Sequence, residues 1–182
     1  MVRKTSILAA VGATLGIALM LSQGSADAQV LRGHNTNAPV DFSADRIEVQ
    51  DRQDRVVVSG NVQVTQAGLT MTAQRLTVAY HDANGVEIDR LDASGGVVVT
   101  RGNERASGSV GIYDLNRRLI TLIGGVQLTQ GSNRLAGQRL VIDLATGRST
   151  VDGSAAGGAP GTSTSSSGRV SGTFKVRQRP NE

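Results

Sequence analysis

The sequence predicts an all-β, antiparallel fold: a jelly roll or curled sandwich built from a repeated strand unit. Three observations carry this. First, Gly60, Gly95, Gly124 and Gly153 recur in similar contexts. Thirteen residues after the first three lies a small residue, Ala73, Gly108 or Gly137, and 16 residues after Ala44, Gly108 and Gly137 comes the next glycine. The period is 29 residues, with one six-residue insertion around His81 to Val86. Such a period marks a supersecondary unit that cannot bury its own apolar face and must stack on its neighbours. Second, apolar and polar residues alternate with period two, the signature of half-buried strands. Third, nothing from Val40 to Val151 shows sustained helical periodicity.

The elements follow in chain order. Arg3 and Lys4 precede an apolar stretch from Ile7 to Leu21, and Ala26-Asp27-Ala28 offers a small-x-small cleavage site. Residues 1–28 therefore read as a secretory signal peptide, with a retained signal anchor as the alternative; the stretch is short against the roughly 20 residues of a membrane span. Residues 29–39 read as a flexible mature N-terminus. In the first long strand Val56, Val58, Val62 and Val64 face one way and Ser59, Gln63 and Thr65 the other. The second repeat gives Leu91, Ala93, Val97 and Val99, and the third Ile120, Leu122, Val126 and Leu128. After each comes a partner strand whose parity slips: Leu69, Met71 and Ala73, then Leu76, Val78 and Tyr80. A one-residue slip turns every side chain to the other face. Keeping the apolar set inside demands a bulge or corner at the small residue. Asn84-Gly85, Asp114 to Asn116 and Ala145 to Gly147 read as hairpin turns. The domain spans 40–153. Residues 154–182 read as a disordered tail: Gly and Ser dominate its first part, and Arg169, Lys175, Arg177 and Arg179 make its end basic; weak alternation from Gly168 to Val176 leaves a last strand as the alternative. A β-solenoid, exported and structural with no lipid ligand, is the competing architecture.

Composition excludes several functions. The 182-residue chain has no cysteine, which removes disulfides, thiol catalysis and cysteine metal sites. Its net charge of +4 lies in the two ends, while residues 29–168 hold as many acidic as basic side chains. A balanced body behind an export signal argues against nucleic acid as a partner. Phe42, Tyr80, Tyr113 and Phe174 are the aromatics, so stacking recognition is disfavoured. No Gly-x-Ser-x-Gly elbow, facing carboxylate pair, calcium loop or phosphate-binding glycine loop is present, so neither an enzyme nor a metal or cofactor site is expected. His34 and His81 read as solvated. Arg46, Arg75 and Arg139 each precede an aliphatic pair and read as outward corner residues, with a rim charge for lipid phosphates as the functional alternative.

What remains distinctive is the interior: long, aliphatic and built from an open-ended stack. An acyl chain would find there the environment of the protein's own valines, at about 0.8 kcal/mol per buried methylene. The candidate lining, taken from the strand parity, is Val58, Val62, Val64, Met71, Leu76, Val78, Val97, Val99, Val126, Leu128, Leu140 and Ile142.

Two segments carry a resemblance. Gly60 to Gln66 reads Gly-Asn-Val-Gln-Val-Thr-Gln and is followed by Met-Thr-Ala-Gln-Arg-Leu-Thr-Val from Met71 to Val78. Gly124 to Gln130 reads Gly-Gly-Val-Gln-Leu-Thr-Gln and is followed by Leu-Ala-Gly-Gln-Arg-Leu-Val-Ile from Leu135 to Ile142. In order and spacing they resemble the OstA-like domain family of lipopolysaccharide-transport proteins, over roughly Val40 to Gly153. A cleavable signal and no room for an outer-membrane barrel fit the LptA branch. The resemblance implies a periplasmic β-jelly roll open at both ends that binds lipopolysaccharide through lipid A. It also implies self-association end to end, with an LptC-like inner-membrane protein and an LptD-like outer-membrane protein as further partners. Edge-to-edge β-augmentation would make one continuous sheet. The expected edges are Phe42, Ile47 and Val49 at one end, and Leu135, Leu140 and Ile142 at the other.

Overall fold

The computed structural model describes residues 34–82, 85–153 and 168–175. The expected signal peptide (1–28), the start of the expected mature N-terminus (29–33), Asn84 of the expected hairpin turn, and residues 154–167 and 176–182 of the expected tail lie outside them. The strands are β1 (Asp41–Ser43), β2 (Arg46–Gln50), β3 (Arg55–Gln66), β4 (Leu69–Asp82), β5 (Val86–Arg101), β6 (Glu104–Asp114), β7 (Leu119–Gln130), β8 (Asn133–Asp143), β9 (Arg148–Asp152) and β10 (Ser171–Thr173). They form one antiparallel sheet in the order β1-β3-β4-β5-β6-β7-β8-β10, with β2 also on β3 and β9 also on β8. Each described pairing is antiparallel between sequence neighbours or nearly so, which excludes the parallel coils of a solenoid.

Three of the four recurring glycines, Gly60, Gly95 and Gly124, open a line of bulges, and Gly153 follows β9 outside any bulge. Gly60-Asn61 of β3 stand opposite the single Gln74 of β4, Gly95-Gly96 of β5 opposite Ser109 of β6, and Gly124-Gly125 of β7 opposite Gln138 of β8. Two residues against one bend a strand sharply. Both residues of each pair have positive φ, +77° and +46° at the first corner and +84° and +81° at the second. Glycine is required at the leading position for a second reason: a Cβ at Gly95 would lie 2.6 Å from Gln74 Cβ. The same bulge resolves the parity slip, because Gln74 and Arg75 are both exposed while Ala73 and Leu76 are both buried.

This line divides the sheet into two leaves. Residues 46–59, 75–94, 110–123 and 139–152 form one, and 62–73, 97–108 and 126–137 the other. The leaves fold onto each other and enclose an aliphatic core with Tyr113 as its one buried aromatic among the described residues. Two-residue loops, Ala67-Gly68, Gly102-Asn103 and Gly131-Ser132, close the hairpins of the second leaf. Their residue types suit tight hairpins, as positive φ at Ala67, Gly68, Gly102 and Gly131 shows. Longer turns close the first leaf. In one, the Asp143 carboxylate accepts from the backbone of Ala145 and Thr146 at 2.9 and 3.1 Å.

Three sequence expectations change. Residues 34–39 are not a loose leader throughout: His34 is buried and its segment is bonded to Gln66. The tail contributes β10, which pairs Ser171, Gly172 and Thr173 with Ala136, Leu135 and Arg134. Consequently β8 is not an edge. β9 covers Arg139–Asp143 and β10 covers Arg134–Ala136, so Leu135, Leu140 and Ile142 lie one strand inside the boundary.

Candidate functional site

The twelve residues of the expected lining all lie in one core, none more than 5% exposed. Cross-strand pairs share a face, so Val58 meets Leu76, Val64 meets Met71 and Leu122 meets Leu140 on the inner side of the sheet. In this state the leaves are in contact. A Cβ at Gly111 of the first leaf would lie 2.8 Å from Val97 Cγ1 of the second.

The core opens at the β1–β2 end into a cavity of about 410 Å³. Its walls are mostly apolar: Ile47 and Val49 of β2, Val56 and Val58 of β3, and Val78 of β4, with Phe42 beside them and Asp51 as the charged residue of the lining. Tyr80, Val86 and Ile88 complete it; Val86 belongs to the six-residue insertion, and Tyr80 and Ile88 flank it. The insertion carries β4 and β5 beyond the row where the neighbouring hairpins end, pairing Tyr80 with Ile88 and Asp82 with Val86. Sequence reasoning took it as a turn and missed these lining residues; the Val86-x-Ile88 alternation was the available signal. Ile47, Val49 and Val86 remain 55%, 61% and 68% exposed. Exposed aliphatic side chains gathered around one opening mark a binding surface. The cavity volume lies within the range of about 300–1,000 Å³ typical of ligand pockets.

A polar cluster interrupts the interior elsewhere. Tyr113 of the first leaf donates to Gln66 Oε1 of the second at 2.7 Å. His34 Nε2 lies 3.1 Å from the same oxygen, and Gln66 Nε2 donates to the carbonyls of Thr36 and Ala38 at 3.0 and 2.9 Å. Burial pushes the Tyr113 hydroxyl up to about 12. Burial likewise lowers the His34 imidazole below its usual value, the Gln66 bond opposing and the Arg101 charge assisting.

The outer surface is charged. Arg46, Ser59, Arg75 and Ser94 fall on one cross-strand row beside the corner, and Arg139 and Asp152 continue that row on the far side of the sheet. Arg46 pairs with Glu48 at 3.5 Å and Arg139 with Asp152 at 3.7 Å. On the extended hairpin, His81 Nδ1 lies 3.0 Å from Asp89, whose other oxygen accepts from Asn116 at 2.9 Å. Among the described residues no group of three or more His, Asp or Glu side chains is placed to hold a metal ion.

The two boundaries of the sheet are unlike. One is the single bent strand β1–β2. The other is β9 and β10 laid end to end along β8, with the chain leaving at Gly153 and returning at Gly168, where the two backbones meet.

Residues 41–148 match the family described as LptA/(LptD N-terminal domain) LPS transport protein. The chain belongs to that family. An uncharacterized protein of Rhizobium meliloti (strain 1021) is 30% identical over 123 residues, which cover 64% of this chain and 66% of that protein. The fold is that of LptH from Pseudomonas aeruginosa, described as the LptA homologous periplasmic component of the conserved lipopolysaccharide transport device. The TM-score is 0.65 at 23% identity, covering 78% of this chain and 98% of that one. The family residues end at Arg148, the first residue of β9, so the rest of β9 and all of β10 lie outside the matched span. As members of an LPS transport family, these residues are read as a transport component rather than an enzyme.

Proposed function

We propose that the chain is a periplasmic lipopolysaccharide-binding protein, freed by cleavage near Ala28. In this reading it shields lipid A acyl chains between its leaves and joins end to end into a bridge between inner and outer membranes. The observation that carries the reading is the aliphatic interior opening through exposed Ile47, Val49 and Val86. Acyl chains enter there and continue along the face of Val58, Val62, Val64, Met71, Leu76, Val78, Val97, Val99, Val126, Leu128, Leu140 and Ile142 as the leaves part. Arg46, Arg75 and Arg139 lie on the outer row beside the corner, and in this reading they offer charges for headgroup phosphates.

The sheet boundaries support assembly. β1–β2 and β9–β10 run in opposite directions relative to the sheet, so a second copy added edge to edge continues the antiparallel alternation. Neither edge offers its like an equivalent fit, which favours an open chain of copies, capped by LptC-like and LptD-like proteins, over a closed dimer.

Photo-crosslinking tests the groove. A crosslinker at Ile47 or Val86 is expected to label lipopolysaccharide, and one at outward-facing Gln63 is not. Equal labelling from both faces refutes the reading.

A further inference from the structure

Three polar heads meet inside a packed core whose other buried side chains are aliphatic. Gln66, Tyr113 and His34 are 2%, 1% and 8% exposed. Burying such groups is costly unless they are bonded, and a purely aliphatic interior would avoid that cost. Much of their satisfaction comes from outside the sheet. Apart from Tyr113, the bonds of the Gln66 side chain go to His34, Thr36 and Ala38. That segment belongs to no strand. A segment tethered through side-chain hydrogen bonds opens more readily than a strand in the ladder. It also fills its place imperfectly, since His34 Nδ1 is buried with no partner.

We propose that the Gln66–Tyr113 pair is a polar subsite of the groove, occupied by the chain's own His34–Ala38 segment when no lipid is present, which selects acyl chains bearing a hydroxyl or amide at that depth. The proposal rests on the lipid-binding reading above. Gln66 presents two N–H donors, freed from Thr36 and Ala38, and one acceptor to whatever replaces the segment, and the Tyr113 hydroxyl shares the acceptor. A hydroxyl accepts from Gln66 Nε2 and donates in return; an amide does the same with its carbonyl and N–H. A plain methylene chain leaves the Gln66 Nε2 hydrogens unpaired in an apolar interior, with only the Tyr113–Gln66 bond kept. Sites built to bond a hydroxyl reject analogues lacking it for that reason.

The chain has no cysteine, so Asn37→Cys on the exposed face of the segment gives a single site for an environment-sensitive fluorophore. The exported chain is titrated with tetradecanoic acid and with its monohydroxylated isomers, by calorimetry and by the fluorophore. At least one hydroxylated isomer is expected to bind about tenfold more tightly than the parent acid and to displace the segment. Gln66→Leu with Tyr113→Phe removes that preference while both acids still bind. Tyr113→Phe alone, a milder change, reduces it about threefold. Equal affinity for every isomer and the parent, with the fluorophore unchanged, overturns the subsite and leaves lipid binding intact. Binding of neither class overturns the lipid reading and the subsite with it.

Discussion

Two histidines in this chain are set in opposite directions by their surroundings. His34 faces Gln66 and Tyr113 and feels the charge of Arg101; burial is the largest influence and favours the neutral ring. His81 bonds Asp89 and feels Asp89, Glu87 and Asp82, all of which favour the charged ring. The linkage signs follow. A folded value below the ordinary 6.5 means that the His34 contribution is present above about pH 6.5 and lost as pH falls through the folded value. A raised value means that the His81 contribution is full below about pH 6.5 and lost as pH rises through its folded value. Ring-proton NMR titration should therefore give a midpoint above 6.5 for His81 and below it for His34; the reverse order would contradict the assigned environments. The corner glycines were legible from sequence because period and positive φ report the same constraint. His34 was not, since its burial depends on Gln66 and Tyr113, 32 and 79 positions away. No local pattern carries that information.

The strands were legible where alternation ran for five or more residues, which covers β3 to β8. The boundary strands were not. β10 has three residues, Ser-Gly-Thr, inside a stretch whose composition signals disorder, and its identity as a strand comes only from the open rim of β8 beside it. The corrected edge makes a register argument possible. Arg46 of β2 shares the corner row with Ser59, and Asp152 of β9 shares it with Arg139. For the corner to continue from one copy into the next, Arg46 must stand opposite Asp152 and Ile47 opposite Val151. The charges are complementary and the second pair is apolar. Arg46→Glu should weaken self-association about fivefold, as should Asp152→Arg, and the double exchange should recover most of the loss. Sedimentation over a concentration series reads this directly. Additive losses in the double variant would exclude this register.

Eight strand positions cross the sheet from β1 to β10. At 4.7–4.9 Å per position the whole unit spans roughly 40 Å. The alternation and the line of bulges run through it unbroken, so the molecule behaves as one length of a bent ribbon with a different edge at each end. Its exposed large aliphatic and aromatic residues, among those described, concentrate at these ends: Ile47, Val49 and Val86 at one, Val170 and Phe174 at the other, with Val110 beside the corner as the exception. Exposed edges of this kind are normally blunted by charge, proline or a covering element. Here no element among the described residues covers the first edge, and the second carries the return strand β10. Growth at such unlike edges has no closing step. Small-angle scattering over rising concentration should show rods of constant cross-section whose mean length increases in steps of roughly 40 Å. A chain ending at Gly153 tests whether β10 belongs to the joining edge. Without it the Arg134–Ala136 rim of β8 is unpaired, half of the receiving edge is missing, and rods should shorten at equal concentration. Rods of unchanged length would assign the junction to β9 alone, and a mass that saturates at two copies would show that the edges close on each other, contrary to the directional assembly argued from their strand directions.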